Sequence, residues 1–557
     1  MMKKWKRQFL PAIAALTILS SFQPALAAKE EPAQMRNLAS GLSYRYSDPP
    51  SENYPDSGTK LTDGKYADPS AFWDANWMAF LRGKTREITF DLGESKSIGR
   101  INAHFLYDHA AGIYTPNIAS FYVSEDGTNW APVKHMNSPM PLWTPSTAAG
   151  YDYSWNGETD GVPHGDQHAT MAYARYVKIA VTTQIWVFMD EVEIWGADGK
   201  AKHAKKLKPE MPAYLQPGES TAGIRDLVLL YNGFYESGAG NWKKEDIIPY
   251  ISYTDKNGSP KDWFYDGVLY LGLRTSDNAR DFGINSLFSD WQWYLDKTFA
   301  ESGDMRQLNE AVKEAGAKLG DNRHKVKVVL MIPLAADTVA DFGDVDGDGV
   351  SENFVAAQVG EETAYANRQK AIRWYMNEVK KRWSAGNYDR LELDGMYWLS
   401  EGISHGDRSE PKLIQETRDR VHREGQKFFW IPFFAANMNF AASELGFDAA
   451  ALQPNHFFDG TDPIRIEDTA YLARHHGLGV EMETDERMNT DEAFRARYID
   501  YLNGGVDFGY MTGAFKAYYQ GNTALLQSSR SDNARVRELY DWMYQFVKGT
   551  YQKQSRS

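Results

Sequence analysis

One apolar stretch in the second half of the chain is bounded by carboxylates. The stretch DGMYWLSEGI, residues 394 to 403, places Asp394 before and Glu401 after a run of aromatic and aliphatic residues that is typical of a buried strand. Buried strands rarely carry carboxylates unless those groups are paired or functional. The spacing therefore makes both residues candidates for acid–base chemistry.

A second stretch, GVEMETDER at residues 479 to 487, carries two further carboxylates. Because side chains alternate along a strand, Glu481 and Glu483 share one face, while Val480 and Met482 occupy the other. In a strand covered by helices, the apolar face is expected to point toward the helices. The two glutamates are then expected to point into the enclosed side.

Paired carboxylates of this kind suit the cleavage of glycosidic bonds. One carboxylic acid protonates the leaving oxygen and the other, ionised, acts at the anomeric carbon; retaining enzymes hold the two about 5 to 5.5 Å apart and inverting ones about 6.5 to 9.5 Å. An apolar wall would raise the pKa of one carboxyl group relative to the other. Tyr397, Trp398 and Trp430 are the candidates for that wall.

The elements that would position these residues alternate apolar strand-like runs with amphipathic stretches. Eight such units predict an α/β fold, a (β/α)8 barrel whose strands are buried on both faces. An open doubly wound sheet is the alternative, but no G-x-G-x-x-G follows the first strand. The predicted strands are 226–232, 266–273, 327–334, 391–399, 428–434, 450–458, 479–484 and 506–513.

In a (β/α)8 barrel the active site lies at the carboxyl ends of the strands. Glu401 falls just beyond the fourth predicted strand, Asp394 lies lower in it, and Glu483 is near the end of the seventh. Other polar residues at predicted strand ends are candidates for substrate contact, with Asn437 a weaker one. These are Tyr231, Asn232, Asn455, His456, Glu481, Tyr510 and Thr512.

The loop DFGDVDGDGVSENF, which follows the third predicted strand, has the pattern of a calcium site. Asp344, Asp346 and Asp348 recur at every second residue, with Glu352 nearby and a backbone carbonyl expected from Val350. Calcium takes hard oxygen ligands of this kind around a glycine turn. We predict a structural Ca²⁺ in a D-x-D-x-D-G loop that is not an EF-hand, because Val355 stands where the bidentate glutamate would be. A solvated acidic turn is the alternative.

The first part of the chain has a different character. Short alternating stretches separated by Gly, Asp and Pro turns predict a β-sandwich over residues 36–197. The Lys- and Pro-rich residues 198–221 predict a linker, and the barrel is then expected over 222–550.

The predicted sandwich resembles the discoidin, or coagulation factor C-terminal, family. The resemblance is carried by NLASG (37–41), KLTDGK (60–65), ITFDLG (88–93), YVSEDGTNW (122–130), ARYVKIAV (174–181) and MDEVEIWG (189–196). It implies carbohydrate binding and a second calcium near the TDG turn, with Asp63 and Glu193 at positions where that family supplies ligands. A sandwich with a structural role only is the alternative.

The predicted barrel resembles the superfamily of retaining glycoside hydrolases that have glutamates at the ends of strands four and seven. The resemblance implies Glu401 as acid/base and Glu483 as nucleophile. The superfamily has Asn before its acid/base glutamate, whereas this chain has Ser400. A site centred on Asp394, as in barrels that cleave α-glycosides, is the competing assignment.

Motifs over nearly the whole chain after its first segment, among them DLVLLYNGFY, GDVDGDGVSENF and GVEMETDE, resemble a secreted bacterial domain-of-unknown-function family, number 4855. That resemblance implies no reaction. Three function classes stay open: a secreted glycoside hydrolase, a non-catalytic protein that binds glycan or cell wall, and a polysaccharide lyase.

The composition limits the partners. A basic start followed by an apolar stretch predicts a signal peptide over residues 1–27 and a secreted, extracellular protein without membrane insertion. The chain has no cysteine and a net charge of −14, which argues against disulfides and nucleic acid. The 14% aromatic content, with 17 Trp and 32 Tyr, favours a carbohydrate polymer or oligosaccharide as the ligand. We expect a monomer.

Overall fold

The computed structural model describes residues 34–141, 144–164, 168–459 and 462–556. The predicted signal peptide at 1–27 lies outside these residues. In the described part of the chain, every helix is too short or too polar to cross a membrane.

The first module is an antiparallel β-sandwich. Its longest strand, Arg86–Tyr107, pairs with four other strands. The register of its pairing with Met171–Val181 shifts between Asp91 and Lys96. Alternate residues such as Ile101, Phe121 and Ile179 are fully buried and form the core between the layers. The strands are β1 (Arg36–Asn37), β2 (Tyr44–Tyr46), β3 (Met78–Leu81), β4 (Arg86–Tyr107), β5 (Ile118–Ser124), β6 (Ala131–Asn137), β7 (Ala149–Asn156), β8 (Met171–Val181), β9 (Trp186–Ala197) and β10 (Ala204–Lys205).

The residues between the modules contact both of them. β10 pairs in parallel with β8. Further along, the backbone of Glu210 donates to Trp130 of the sandwich, and that of Ala213 donates to Arg474 of the second module. This segment therefore follows the surfaces of both modules.

The second module is a closed barrel of eight parallel strands in sequential order, as predicted. Its strands are almost wholly buried because helices cover them outside and side chains fill the inside. Strands β12 and β13 form a separate hairpin. The strands are β11 (Asp226–Tyr231), β12 (Ser252–Thr254), β13 (Pro260–Trp263), β14 (Gly267–Leu271), β15 (Val326–Ile332), β16 (Leu391–Trp398), β17 (Lys427–Trp430), β18 (Ala449–Leu452), β19 (Gly479–Thr484) and β20 (Lys516–Gln520).

The helices of the second module lie between and outside these strands. α3, for example, buries Met305, Leu308, Val312 and Ala315, which recur at the spacing of one helical face. The helices are α1 (Lys244–Ile251), α2 (Phe288–Phe299), α3 (Asp304–Leu319), α4 (Ala356–Val359), α5 (Glu361–Gly386), α6 (Glu410–Arg423), α7 (Ala442–Leu445), α8 (His456–Asp459), α9 (Ile464–His475), α10 (Glu492–Asp507), α11 (Tyr510–Gly513), α12 (Ala524–Ser529) and α13 (Ala534–Val547).

The eighth barrel strand differs from the prediction. Residues 506–513 form the end of α10 and all of α11, and the strand is β20, with the sequence KAYYQ. Its first residue, Lys516, is fully buried and forms an ion pair with Asp226 of β11 at 3.2 Å. A search for apolar runs misses this strand because a buried lysine interrupts the pattern, and only its partner on a distant strand makes it tolerable.

The sandwich packs against the barrel beside the loops that follow β17 and β18. Thr85 donates to Asp468 of α9 through both its backbone N–H (2.6 Å) and its hydroxyl (2.7 Å). Asn117 donates to the carbonyl of Ala436, at 3.3 Å, in the loop after β17. The sandwich therefore contacts the same end of the barrel at which the strands have their carboxyl ends.

Candidate active site

Three glutamates meet at the carboxyl end of the barrel. Glu481 and Glu483 lie on the inward face of β19, and Glu401 lies in the loop that follows β16. Burial, then Glu483, then Glu401 raise the pKa of Glu481 well above its usual value, which shows that the three charges act on one another. The structure thus places Glu401, Glu481 and Glu483 at the same end of the barrel.

Glu483 is held by two hydrogen-bond donors on one oxygen. Its Oε2 accepts from the backbone N–H of Asn455 at 2.5 Å and from the hydroxyl of Tyr501 in α10. The hydroxyl oxygen of Tyr501 in turn accepts from the backbone N–H groups of His456 (3.1 Å) and Phe457 (3.4 Å). Since a phenol has one hydrogen, that hydrogen points at Glu483.

The electrostatics of Glu483 follow from this arrangement. Burial, reinforced by the charge of Glu401, raises its pKa to about 8, although the hydrogen bonds from Tyr501 and Asn455 and the charge of Arg465 oppose that rise. In the part of the chain that the structure describes, Glu481 receives no such donor. Of the two buried glutamates on β19, Glu483 is therefore the one whose ionised form hydrogen-bond donors stabilise, although burial keeps its pKa raised.

Glu401 differs from the two glutamates of β19 because its side chain is accessible to solvent. The surrounding protein still withdraws the carboxyl group from bulk water: burial raises its pKa, and the side chain of Gln453 opposes that rise. An accessible carboxyl group with a raised pKa has the properties of a proton donor.

The loop that carries Glu401 is tied down on both sides. The indole of Trp430 donates to the carbonyl of Ser400 at 2.8 Å, and Phe433 donates its backbone N–H to the carbonyl of Glu401 at 3.0 Å. Further on, the buried Arg368 pairs with Asp407 and donates to the carbonyl of Ala335 at 2.6 Å. Glu401 therefore stands on a braced segment although it lies outside a strand.

Three tyrosines form the apolar part of the same cup, which we define as Glu401, Glu481, Glu483, Tyr231, Tyr397 and Tyr519. The rings of Tyr231 and Tyr519 meet edge to face at 5.5 Å. The pKa of Tyr231 is raised by burial and then by Tyr519, Tyr397, Glu481 and Glu401. Tyr519 was missed because it lies on the misplaced eighth strand.

Two predicted wall residues face away from the cup. Tyr397 points inward, so Trp398, the next residue of β16, points toward the helices, where its ring meets Phe428. Trp430 is in register with Trp398 and stacks on Phe447 at 4.9 Å. Both indoles support the barrel from outside. The prediction that they form walls of the cup is therefore wrong, because successive side chains of a strand point to opposite faces.

Other predicted contact residues also lie behind the cup. Asn232 donates to Thr298 and Asp304 of the helix layer, at 3.0 Å each. The ring of His456 pairs with Asp500 of α10 at 2.9 Å. Asn455 acts through its backbone, in a left-handed turn with φ of 56°, which aims its N–H at Glu483.

Three further predicted contact residues have other positions in the structure. Tyr510 belongs to α11 and packs on Phe546, and Thr512 lies in the same helix, so neither belongs to the cup. Asn437, the weaker candidate, donates to the carbonyl of Ile403 at 3.1 Å, which braces the loop after Glu401.

Asp394 is also excluded from the cup. The pairing of β16 with β15 skips Asp394, because the register shifts at this residue. Its carboxylate lies 4.0 Å from the ammonium of Lys327, near the start of β15. That is the opposite end of the parallel strands from Glu401 and Glu483. The competing assignment of a nucleophilic Asp394 is therefore wrong.

The predicted calcium loop gathers three of its candidate ligands. One oxygen from each of Asp344, Asp346 and Asp348 lies within 4.8 Å of the others. The buried Glu352 is instead engaged by Lys370 (2.7 Å), which also contacts Asp346. Val350 is exposed and donates its N–H to Asp348 at 2.8 Å. The three aspartates offer the hard oxygen donors that Ca²⁺ requires, so the donor set fits this ion.

The sandwich has a carboxylate at the TDG turn that the sequence prediction missed. Glu191, which is buried, accepts from the backbone N–H of Gly64 at 3.0 Å, next to Asp63. Burial, opposed by that hydrogen bond and reinforced by Asp63, raises its pKa to about 8. Glu193 instead accepts from the indole of Trp195 at 2.9 Å. The residue placed at this turn is therefore Glu191 and not Glu193.

A cavity of about 840 Å³ opens on the sandwich. Its lining combines aromatic rings with charged side chains, among them Tyr54, Lys60, Trp73, Asp74 and Trp186. The ring of Trp73 is 69% exposed, which is unusual for so large an apolar side chain.

The fold and the cup define a two-module protein: a β-sandwich joined to a (β/α)8 barrel with a carboxylate-lined mouth. Residues 226–545 match the family described as "Domain of unknown function (DUF4855)". The chain belongs to this family. A search of the curated proteins gives no significant match.

Several solved structures resemble part of the chain. A chitosan-binding module of a chitosanase/glucanase from Paenibacillus sp. IK-5 has 18% identity and a TM-score of 0.20, over 29% of this chain and 99% of that one. The lectin-binding domain of lectinolysin, complexed with Lewis b, has 14% identity and a TM-score of 0.20, over 30% and 99%. A GH29 fucosidase from Ruminococcus gnavus has 16% identity and a TM-score of 0.21, over 30% of this chain and 28% of that one.

Proposed function

We propose that the barrel is a glycoside hydrolase that cleaves a polysaccharide or oligosaccharide with retention of configuration. One relationship carries the proposal: Glu401 follows the fourth barrel strand and Glu483 lies on the seventh, in register with Tyr519, so both stand at the carboxyl end of the barrel. Two carboxylates in unlike environments are what glycosidic cleavage requires.

The environments assign the roles. Glu483 has Oε2 fixed by Tyr501 and Asn455, so Oε1 is left to attack the anomeric carbon and form a glycosyl ester. Glu401, accessible and with a raised pKa, protonates the departing oxygen. In the second step, Glu401 removes a proton from water as the water attacks the anomeric carbon, which releases Glu483 and returns the proton to Glu401.

We propose in addition that the sandwich binds glycan at the cavity around Trp73, that Ca²⁺ stiffens the loop of Asp344, Asp346 and Asp348, and that the protein acts outside the cell. The exposed indole supports the first of these because sugar rings stack on aromatic faces while nearby charged groups bind their hydroxyls. The basic and apolar start of the sequence supports the last.

The catalytic proposal is tested with a polysaccharide panel and the variants Glu401→Gln and Glu483→Gln. Each is expected to lower the release of reducing ends by at least about 1000-fold, with an unchanged circular dichroism spectrum. Glu301→Gln, an exposed glutamate in the turn between α2 and α3, is the matched control. Full activity of both cup variants would exclude these two glutamates as the catalytic pair. Wild type that binds glycan without cleaving it, with the same binding in both variants, would identify a non-catalytic glycan-binding protein, and products with ultraviolet-absorbing unsaturated ends would identify a lyase.

A further inference from the structure

The cup contains one carboxylate more than the proposed reaction uses. Glu481 lies two residues before Glu483 on the same face of β19 and is only 3% exposed. Within the described residues, its side chain forms no hydrogen bond and no ion pair. A buried carboxyl group without a partner is costly, and the protein gains nothing structural from this one.

Residues 34–141, 144–164, 168–459 and 462–556, which the structure describes, supply no cation for Glu481. The charges that act on it in the described part of the chain are those of Glu483 and Glu401, both of the same sign. Arg465, the cation of this region, acts on Glu483 and has its guanidinium over the ring of Phe434 at 3.7 Å. The position beside Glu481 is therefore acidic, and the described residues provide no counterion for it.

The tyrosine side chains of the cup also favour a cation beside Glu481. Tyr519 is in register with Glu483 on the neighbouring strand, and its ring meets that of Tyr231 at 5.5 Å. The pKa values of Tyr231, Tyr397 and Tyr519 are raised first by burial and further by the charge of Glu481. The faces of phenol rings attract cations, and a buried carboxylate adds a directed ion pair. A neutral sugar hydroxyl would gain less from the faces of the phenol rings and from the charge of the carboxylate.

We infer that the substrate is a glycan of amino sugars with free amines, of the glucosamine or galactosamine type, and that Glu481 binds the ammonium group of the sugar at the site of cleavage. This inference rests on the proposed hydrolase function. N-acetylation removes the charge of the amine, so the cup would discriminate against acetylated glycans.

The experiment compares oligosaccharides of equal length and linkage that carry a free amine, an N-acetylated amine or a hydroxyl group. Two series are used, one of β-1,4-linked glucosamine and one of α-1,4-linked galactosamine, with their acetylated and neutral counterparts. The wild type is expected to show a kcat/KM for one free-amine series roughly 10- to 100-fold above its counterparts, the strength of one charged hydrogen bond.

The variant Glu481→Gln has nearly the same shape as the protonated side chain and is expected to fold. It should lower the preference for the free amine over the neutral counterpart by roughly 10- to 100-fold, and Glu481→Asp, which keeps the charge, should retain part of that preference. Glu301→Gln should keep the wild-type ratio.

Binding provides a second measurement that does not need turnover. Titration calorimetry of Glu401→Gln with the free-amine hexamers, in buffers of different ionisation enthalpy, should show release of protons on binding at pH 6, because the bound ammonium favours the ionised form of Glu481. The release should be smaller in the double variant Glu401→Gln/Glu481→Gln.

Two results would overturn the inference. If the wild type cleaves neutral or acetylated oligosaccharides as well as the free-amine forms, and this activity needs Glu401 and Glu483, then the hydrolase function holds and the amine specificity falls. If no free-amine hexamer binds to Glu401→Gln or to the double variant, the inference fails whatever substrate the barrel cleaves.

Discussion

Tyr501 donates its only hydroxyl hydrogen to Oε2 of Glu483, because its own oxygen already accepts from two backbone N–H groups. The tyrosine comes from α10, outside the barrel, and its side chain reaches the end of β19. It therefore acts as a positioning residue that fixes which oxygen of the nucleophile is free and stabilises its ionised form.

Tyr501→Phe should accordingly change the pH profile and not only the rate. Loss of the donor should raise the pKa of Glu483 by about one pH unit, because a hydrogen bond to a charged group contributes about 1.5 to 3 kcal/mol. The acidic limb of kcat/KM should move to higher pH by about one pH unit, with activity at pH 6 about 10-fold lower. Tyr498→Phe removes another buried hydroxyl of α10, one bonded to the carbonyl of Leu539, and should leave the limb in place. An unmoved limb in Tyr501→Phe would exclude this role.

Glu481 should make the stability of the folded protein depend on pH. Burial and the neighbouring carboxylates raise its pKa in the folded state above the unfolded value of about 4.3. The unfolded chain then ionises first, so the free energy of unfolding falls as the pH rises from about 4.3 toward the raised pKa. The fall is about 1.4 kcal/mol for each pH unit that separates the folded and unfolded pKa values.

Glu481→Gln cannot ionise and should escape this loss. Its advantage over wild type in thermal and urea unfolding should grow from pH 4.5 to pH 8 and reach at least about 1 kcal/mol. Glu301→Gln should show a constant difference from wild type. An advantage of Glu481→Gln that stays the same at both pH values would mean that Glu481 has an ordinary pKa in the folded protein.

The sequence was sufficient to predict the two modules and most of the cup, since both rest on local patterns. Seven of eight barrel strands are apolar runs, and the alternation in GVEMETDER places both glutamates inward. Glu401 could be found because it follows such a strand directly.

The remaining site residues depend on contacts between distant segments. The buried Lys516 interrupts the apolar pattern of the eighth strand, and its burial is understood only once Asp226 is known to lie beside it. Tyr519 lies on the same strand and is missed for the same reason. Tyr501 lies on a helix and has no local mark of its role. Glu191 and Glu193 sit on one strand with the same residue type, so only the approach of Gly64 distinguishes them.

Calcium should stabilise the protein if the loop of three aspartates binds it. Binding to the folded state alone raises the free energy of unfolding by RT ln(1 + [L]/Kd), or about 2.7 kcal/mol at 100 times Kd. We expect a chelator to lower the melting temperature and Ca²⁺, but not Mg²⁺ at equal concentration, to restore it. Asp346→Asn/Asp348→Asn should abolish the response.

Asp337→Asn, an exposed aspartate in the same segment between β15 and α4, should respond to calcium like the wild type. The turn at Gly64 and Glu191 in the sandwich is a second candidate, so Glu191→Gln is measured in parallel. A calcium response that persists in the double aspartate variant and is lost in Glu191→Gln would assign the ion to the sandwich instead.

Trp73→Ala should weaken retention on polysaccharide without affecting the barrel. Trp73 is exposed and lines the sandwich cavity, and removal of a stacked aromatic ring costs about 1 to 3 kcal/mol, or roughly 5- to 150-fold in affinity. Affinity electrophoresis in gels that contain the polysaccharide cleaved in the panel should show the loss, with Glu483→Gln as the background so that the ligand survives. Trp130→Ala, which removes an indole from a separate cavity at the junction of the modules, is the matched control. Because the chemistry takes place in the cup, kcat on short oligosaccharides should be the same in Trp73→Ala and wild type. If retention is unchanged in Trp73→Ala, the sandwich cavity does not bind this glycan.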